Sequence, residues 1–302
     1  VVDESVVRIG VLGCGTVGAY LLALLERQSA TINSRTGLSL EVSRIAVRNL
    51  SQKRSAVVGA DAFTDDALSV VSDPSIDIIV EVMGGIEPAR GLVLAALAAG
   101  KPVVTANKAL LAAHGFELFA AAESAGVDIL FEASVAGGIP FIRPLRESLL
   151  AEPVVRVMGI MNGTTNYILT RMSEAGADYS EALAEAQSLG YAEADPTADV
   201  EGHDAAAKIA IVASIAFGAE VTSSDVHCEG ISSVSADDIS FAQRHGYAIK
   251  LLAIAERFSL PGGDELSARV HPCLIPKAHP LAAVRESFNA VFVQGDAVGD
   301  LM

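Results

Sequence analysis

The densest group of side chains suited to acid–base chemistry lies between residues 190 and 208. Five acids occur within twelve residues, directly before an apolar segment that is predicted to be a helix over residues 204–217. Asp204 and Lys208 are four residues apart and therefore share one face of that helix. A carboxylate such as Glu193 can hold a substrate ammonium group, while a lysine can polarise a carbonyl and exchange its proton.

Two plainer interpretations of this segment remain open. Asp204 and Lys208 can form a solvated ion pair that contributes about 0.3–0.5 kcal/mol. The acids can also reflect the preference for negative charge at the N-terminus of a helix. The apolar continuation over residues 209–213 favours partial burial of the pair, and burial favours a functional role because desolvation and paired charge tune pKa values.

A glycine-rich turn follows the predicted strand 7–12 and opens the predicted helix 16–27. Its six residues are Gly13, Cys14, Gly15, Thr16, Val17 and Gly18. Gly13 allows the tight turn, Gly15 allows backbone to approach a pyrophosphate, and Gly18 allows close packing of helix on sheet. The free N–H groups of the helix N-terminus favour the anion. We therefore predict a dinucleotide site, the alternative being a purely structural turn.

The next predicted strand, residues 41–47, is followed by Arg48, where an NAD-binding protein usually has Asp or Glu. A guanidinium at this position suits the 2′-phosphate of NADP(H), and Lys53 and Arg54 follow closely. The sequence therefore favours NADP(H), with NAD(H) possible. The alternative is that Arg48 is a surface residue without a ligand.

Lys108 follows the predicted strand 103–106. Ligands of open parallel sheets lie outside the carboxyl ends of the strands, so a lysine here would face the region of nicotinamide and substrate. It can equally be a surface cation at the start of a helix.

We also predict Gly84 among the cofactor contacts.

The first half of the chain alternates predicted strands and helices. The predicted strands are residues 7–12, 41–47, 76–82, 103–106 and 128–133. The predicted helices are residues 16–27, 66–71, 88–99 and 116–124. A polar segment at residues 29–37 separates the first helix from the second strand. This alternation predicts an α/β fold with a Rossmann-like, doubly wound parallel sheet. A glycine-rich elbow at residues 134–140 marks a domain hinge.

The regular alternation of strands and helices ends at this glycine-rich segment. Predicted helices cover residues 144–149, 165–175, 180–189, 204–217 and 236–245, and predicted strands cover residues 154–160, 250–258, 266–274 and 290–294. We therefore predict a dinucleotide-binding domain over residues 1–134 and a second, α+β domain for substrate binding and dimerisation over residues 135–302.

Composition excludes several classes of protein. Of 302 residues, 51% are hydrophobic and 19% are charged, which excludes intrinsic disorder. The apolar runs are too short for a membrane span. A net charge of −16 argues against nucleic-acid or acidic-membrane partners. Three widely spaced cysteines suggest a reducing compartment, and the N-terminal residues show no export signal, so the predicted location is the cytoplasm.

Together these segments resemble homoserine dehydrogenase, especially its actinobacterial members, over essentially all 302 residues. The segments that carry the resemblance are residues 13–18, 105–108, 131–140, 162–169 and 190–208. It implies reversible reduction of L-aspartate 4-semialdehyde to L-homoserine with NAD(P)H, at the branch that leads to threonine, isoleucine and methionine. It also implies a homodimer.

The resemblance assigns roles to individual residues. Lys108 and Lys208 are implied to flank the reacting oxygen, with Lys208 as the proton donor and Asp204 as the acid that works with it. The implied substrate pocket contains Gly163, Thr164, Tyr191, Glu193, Asp199 and Asp204, with Glu193 meeting the amino or hydroxyl group of homoserine.

A monovalent cation, usually sodium, is also implied. Its ligands are Glu132 and the backbone carbonyls of Val135, Gly137 and Ile139. A hard cation favours oxygen ligands, and neighbouring glycines allow carbonyls to turn inward. The cation would rigidify the hinge.

Family members extend past the position of Met302 with a glycine-rich segment, a helix and, in many, an ACT-type regulatory domain. The sequence is therefore expected to lack that C-terminal regulatory region. Two alternatives to homoserine dehydrogenase activity remain. The first is a non-catalytic NADP(H)-binding module that is inactive through truncation, and the second is a related Rossmann dehydrogenase for another amino acid. The second leaves the signature at residues 190–208 unexplained.

Overall fold

A computed structural model describes residues 5–52 and 58–302. The chain forms two compact units, one that ends at Ser134 and one that spans Val135–Met302. Within the described ranges, no helix has the length and apolar character that crossing a membrane requires.

The first unit is built on one six-stranded parallel sheet. Its strands are β1 (Ser5–Leu12), β2 (Leu38–Ala46), β3 (Phe63–Thr64), β4 (Ile78–Glu81), β5 (Val103–Thr105) and β6 (Ile129–Leu130). They lie in the order β3-β2-β1-β4-β5-β6. The order reverses between β1 and β4, which is the hallmark of a doubly wound sheet. The prediction of a Rossmann-like fold is confirmed.

In the described part of the first unit, four α-helices connect these strands. They are α1 (Thr16–Thr36), α2 (Ala67–Ser72), α3 (Ala89–Ala98) and α4 (Lys108–Ala125). The first helix was predicted to end at residue 27 and to be followed by a polar loop. Both predictions are wrong. The helix continues to Gly37, whose left-handed φ of 73° and N–H bond to the carbonyl of Asn33 end it.

The predicted start of the fourth helix at residue 116 is also wrong. The helix begins at Lys108, because the side chain of Asn107 accepts a hydrogen bond from the N–H of Leu110 and so caps the first turn. A kink at His114, with a φ of −137°, separates the two parts of α4. The predicted strand 128–133 is reduced to β6, because the chain enters a short 3₁₀ turn over Glu132–Ser134.

The second unit contains a mixed six-stranded sheet. Its strands are β7 (Val154–Ile160), β8 (His227–Cys228), β9 (Tyr247–Leu260), β10 (Gly263–Pro276), β11 (Ala290–Gly295) and β12 (Gly299–Leu301). They lie in the order β12-β11-β7-β9-β10-β8, with β8 parallel to β10 and the other pairs antiparallel. The long hairpin of β9 and β10 is the largest part of the sheet.

Five helices complete the second unit. They are α5 (Gly163–Ala175), α6 (Tyr179–Ser188), α7 (Thr197–Val200), α8 (His203–Phe217) and α9 (Ala236–Arg244). The predicted helix 144–149 is a single wide helical turn over Pro144–Ser148. Helix α8 is apolar nearly all round and is buried from Ile209 to Ala213. The charged residues of α8, Asp204 and Lys208, lie in its first two turns, ahead of this buried stretch.

Candidate active site

The glycine turn after β1 requires its glycines for reasons of space. Gly13 has a φ of 100°, and a Cβ there would lie 2.8 Å from the carbonyl oxygen of Val82. A Cβ on Gly18 would lie 2.6 Å from the carbonyl oxygen of Gly13. A Cβ on Gly15 would meet nothing within 4 Å, so the backbone there is open to a ligand.

A cavity of about 470 Å³ lies beside this turn, where the strand order reverses. The residues that line it are Gly13, Cys14, Gly15, Ala46, Val47, Arg48, Asn49, Gln52, Asp65, Ala67, Val82, Met83 and Pro88. Thr16 and Val17, exposed in the first turn of α1, adjoin it in sequence. Arg48 is exposed at the cavity wall, whereas Lys53 and Arg54 lie outside the described residues.

This cavity has the features that a dinucleotide needs. Open backbone at the N-terminus of α1 suits a pyrophosphate, and the cation of Arg48 suits a further phosphate. Gly84 has a φ of 73°, and a Cβ on it would also face open space. Lys108 is the exposed first residue of α4, directly after the carboxyl end of β5.

In the second unit, Lys208 and Asp204 form a buried ion pair. Lys208 Nζ lies 2.6 Å from Asp204 Oδ2, and their side chains are 14% and 5% exposed. The same ammonium donates to the carbonyl oxygen of Met161 at 2.7 Å. The interpretation as a solvated surface pair is therefore wrong, because α8 places both groups against the buried end of β7.

Asn162 joins this pair to a second carboxylate. Its Nδ2 donates to Asp204 Oδ2 at 2.9 Å and to Asp199 Oδ1 at 2.7 Å. Its Oδ1 accepts from the N–H of Thr165 at 2.9 Å and so caps α5. The Thr164 hydroxyl lies 2.7 Å from the carbonyl oxygen of Tyr191 and 3.2 Å from Asp199 Oδ2. One network thus holds two carboxylates and one ammonium at the N-terminus of α5.

Two more predicted substrate residues border the network. Gly163 is needed for close approach, because a Cβ there would lie 2.7 Å from the carbonyl oxygen of Ser287. The ring of Tyr191 packs against that of Tyr167, with centroids 4.9 Å apart. Burial raises the pKa of Tyr167, and a hydrogen bond to Glu185 adds to the rise.

Glu193 is not part of the network. It is exposed, and its backbone carbonyl accepts from Gln187 Nε2 at 3.0 Å. Its predicted contact with substrate therefore stays a prediction. Sequence reasoning also missed Asn162 as a site residue, although its place before the Gly-Thr-Thr start of α5 marks it as a helix cap whose amide can act elsewhere.

The predicted cation ligands fall on both sides of the boundary at Ser134. Glu132 is the half-buried start of the 3₁₀ turn that ends the first unit. At the start of the second unit, Ala136 and Gly137 have φ values of 58° and 62°, and the N–H of Ile139 donates to the carbonyl oxygen of Ala136 at 3.2 Å. Across the described residues, no three His, Cys, Asp or Glu side chains are grouped as metal ligands.

A doubly wound sheet with a glycine turn and a cavity at its switch point defines the class of dinucleotide-binding proteins. Comparison with known proteins narrows the class. A family model described as "Homoserine dehydrogenase, NAD binding domain" matches residues 13–132, and one described as "Homoserine dehydrogenase" matches residues 140–302. The chain belongs to the homoserine dehydrogenase family, and it is an NAD(P)-dependent oxidoreductase.

Individual relatives agree with this assignment. The chain is 56% identical to homoserine dehydrogenase of Corynebacterium glutamicum over 299 residues, and 52% identical to that of Mycobacterium tuberculosis over 301. These matches cover 99% of the chain but 67% and 68% of the relatives, so the chain spans about two thirds of their length.

Solved structures of homoserine dehydrogenases also resemble this chain. A homoserine dehydrogenase from Thiobacillus denitrificans matches with a TM-score of 0.90 and 49% identity, over 98% of this chain and 68% of that one. A hyperthermophilic archaeal homoserine dehydrogenase in complex with NADPH matches with a TM-score of 0.79 and 28% identity, over 98% and 90%.

Proposed function

We propose that this chain interconverts L-homoserine and L-aspartate 4-semialdehyde with NADP(H), in the biosynthesis of threonine, methionine and isoleucine. The observation that carries the proposal is the buried network in which Asn162 links Asp199 to the pair of Asp204 and Lys208. It supplies both an acidic pocket for an amino acid and a buried proton donor.

The residues around the 470 Å³ cavity fit a nicotinamide dinucleotide, which when bound would supply or accept the hydride. Gly13, Gly15 and the first turn of α1 would hold the pyrophosphate, and Gly84 would contact the cofactor. Arg48 would pair with a 2′-phosphate and so favour NADP(H) over NAD(H).

Lys208 Nζ would exchange the proton of the reacting oxygen. Two of its three N–H groups are directed by Asp204 and by the carbonyl of Met161, which leaves the third for the substrate. During reduction this ammonium donates a proton to the oxygen of the former aldehyde, and during oxidation the neutral amine accepts the proton of the hydroxyl.

The carboxylates would hold the ammonium group of homoserine. Asp199 and Asp204 are the groups of the network that can accept hydrogen bonds from such a cation. Thr164 and Gly163 would shape the pocket beside them. Tyr191 and Glu193, both exposed, would contact the substrate from the side open to solvent.

Lys108 is proposed as a second catalytic lysine. The proposal is supported by the family resemblance and by its place at the first residue of α4, after the carboxyl end of β5. Replacement by alanine is expected to lower kcat and to leave homoserine binding unchanged.

A monovalent cation at Glu132 and the carbonyls of Val135, Gly137 and Ile139 is supported by the donor set, which consists of oxygen atoms alone. Two successive left-handed residues, Ala136 and Gly137, give this segment the sharp turn that inward carbonyls need. Turnover and heat resistance should be higher in sodium chloride than in tetramethylammonium chloride, and equal values would contradict the proposal.

A homodimer is proposed from the resemblance. It is supported by large apolar side chains that the hairpin of β9 and β10 exposes, namely Tyr247, Phe258, Leu260, Leu266 and Leu274. Sedimentation equilibrium should give twice the chain mass, and a monomer at micromolar concentration would contradict it. A cytoplasmic location stays a prediction.

The decisive experiment is a turnover assay. The purified protein should oxidise NADPH when L-aspartate 4-semialdehyde is added, and should reduce NADP⁺ when L-homoserine is added. NADPH binding without turnover would overturn the proposed reaction and support the non-catalytic alternative.

A further inference from the structure

Glu81, the last residue of β4, is fully buried, with 0% exposure. Among the residues that the structure describes, no cation forms a salt bridge with it. Its carboxylate instead accepts from the N–H groups of Met83 at 2.8 Å and Gly84 at 3.3 Å, the Thr105 hydroxyl at 2.6 Å and Asn107 Nδ2 at 3.4 Å. Burying a carboxylate without a counter-charge costs free energy. The groups that Glu81 holds in place therefore indicate its role.

One branch of this network fixes the turn after β4. Both backbone N–H groups bind the same oxygen, Glu81 Oε1, and the next residues, Gly84 and Gly85, have left-handed φ values of 73° and 76°. Asn107 Nδ2 donates to the carbonyl of Gly85 at 2.6 Å and holds the other side of the turn. Met83 lines the nucleotide cavity, so the network acts on the cavity wall.

The other branch fixes the start of α4. The Thr105 hydroxyl donates to Glu81 Oε2 and accepts from the N–H of Asn107 at 3.0 Å. Asn107 in turn caps α4 by accepting from the N–H of Leu110 at 3.2 Å. The first residue of that helix is Lys108. One carboxylate thus sets the position of the turn at Gly84 and of the helix that begins with Lys108.

We propose that Glu81 is a positioning residue of the nucleotide site, which holds the turn at residues 83–85 and the first turn of α4 in the arrangement that binds the nicotinamide cofactor. Glu81 acts through other residues, since its own side chain is sealed from solvent. The inference rests on the proposed function, because it concerns how the cofactor of that reaction is bound.

The substitution Glu81→Gln tests this role at constant size. A glutamine has one acceptor oxygen, so either the N–H groups of Met83 and Gly84 or the Thr105 hydroxyl lose the acceptor that they have now. We expect the Kd for NADPH to rise about tenfold, as loss of a charged buried hydrogen bond implies. The KM for homoserine should not change. Glu123→Gln, the same substitution at an exposed position of α4, is the matched control and should bind NADPH normally.

A second readout needs no cofactor. Amide hydrogen exchange at Met83 and Gly84 should be faster in the apo form of Glu81→Gln than in the unchanged protein or the Glu123→Gln variant. A role limited to general stability would lower the midpoint of unfolding without this local change and without a change in the Kd of the folded protein.

Thr105→Val breaks the second branch from its other end and decides the question if Glu81→Gln does not fold. It should also weaken NADPH binding, because Asn107 then loses its link to Glu81 through the hydroxyl. Unchanged NADPH affinity in Thr105→Val and in any folded Glu81→Gln would overturn the inference. An unchanged protein that binds NADPH without turnover would overturn the proposed reaction, while weaker binding by the variants would still support the role of Glu81.

Discussion

Lys208 Nζ lies 2.6 Å from Asp204 Oδ2, and both side chains are almost fully buried. Removing one member of such a pair leaves an uncompensated charge in the protein interior, which is far more costly than the loss of an exposed pair. The geometry therefore couples the chemistry of Lys208 to the integrity of the end of β7.

Replacing Lys208 with alanine should lower kcat by about a thousandfold, because the proposed proton donor to the reacting oxygen is lost. The Kd for NADPH should not change, since every residue that lines the nucleotide cavity belongs to the first unit. Steady-state kinetics and a separate binding titration measure the two quantities. Lys277→Ala, at an exposed position of the same unit, is the control, and a Lys208→Ala variant with normal turnover would refute the assignment.

Replacing Asn162 with aspartate should lower kcat/KM for homoserine by about a hundredfold, because a donor shared by two carboxylates becomes a third negative group. Aspartate keeps the cap of α5 but adds a buried charge beside two carboxylates, so the midpoint of thermal unfolding should fall more than for serine. Asn162→Ser, which keeps the cap and adds no charge, should give a smaller kinetic loss. Equal kinetics for the aspartate and serine variants would show that charge at this position is irrelevant.

Replacing Arg48 with alanine should weaken NADPH binding by about tenfold and leave NADH binding nearly unchanged, because only NADPH carries the 2′-phosphate. Titration with both cofactors gives the ratio. Arg35→Ala is a suitable control, since Arg35 is in the last turn of the 21-residue helix α1, about 30 Å from its N-terminus. An equal loss for both cofactors would contradict a role in NADP(H) preference.

Lys250 makes stability depend on pH. It is 5% exposed, and burial lowers its pKa to about 8, with Glu174 opposing the shift and Arg285 adding to it. Its ammonium donates to Asn166 Oδ1 at 2.8 Å and to the carbonyl of Val284 at 2.6 Å. Below pH 8 the folded and unfolded states both hold the proton. Above it, the unfolded state retains the proton up to the ordinary pKa of 10.5, so the free energy of unfolding rises with pH.

The substitution Lys250→Met should abolish this rise. The unfolding free energy of the unchanged protein should gain on the order of 2 kcal/mol relative to the variant between pH 7 and pH 10. Urea unfolding at both pH values measures the difference, with Lys277→Met as the exposed control. A difference that is the same at the two pH values would show that Lys250 does not titrate in this window.

The sheet of the first unit could be predicted because β1, β4 and β5 are short apolar runs, each followed by a helix. Helix α1 was predicted nine residues too short because it buries Gly18 and Leu22 alone, so that its second half has the polar composition of a loop. The two-residue strands β3 and β8 arise from pairing with neighbours and leave no pattern of their own.

The site, like the fold, could be predicted from the sequence only where the signal is local. Asp204 and Lys208 could be paired from the sequence because helical spacing is a local property. The link from Asn162 to Asp199 and Asp204 spans 37 and 42 residues, so no local rule reveals it. The burial of Glu81 likewise depends on β1 and β5 on either side of β4, which only the assembled sheet supplies.

The proposed substrate pocket would have one rigid wall and one adaptable wall. Asn162, Asp204 and Lys208 are buried and interlocked, whereas Tyr191 is 44% exposed and Glu193 is open to solvent. Laboratory evolution toward hydroxy amino acids with longer carbon chains would therefore accumulate changes at positions 191 and 193. The interlocked wall would stay constant through such selection, because each change there disturbs several partners together.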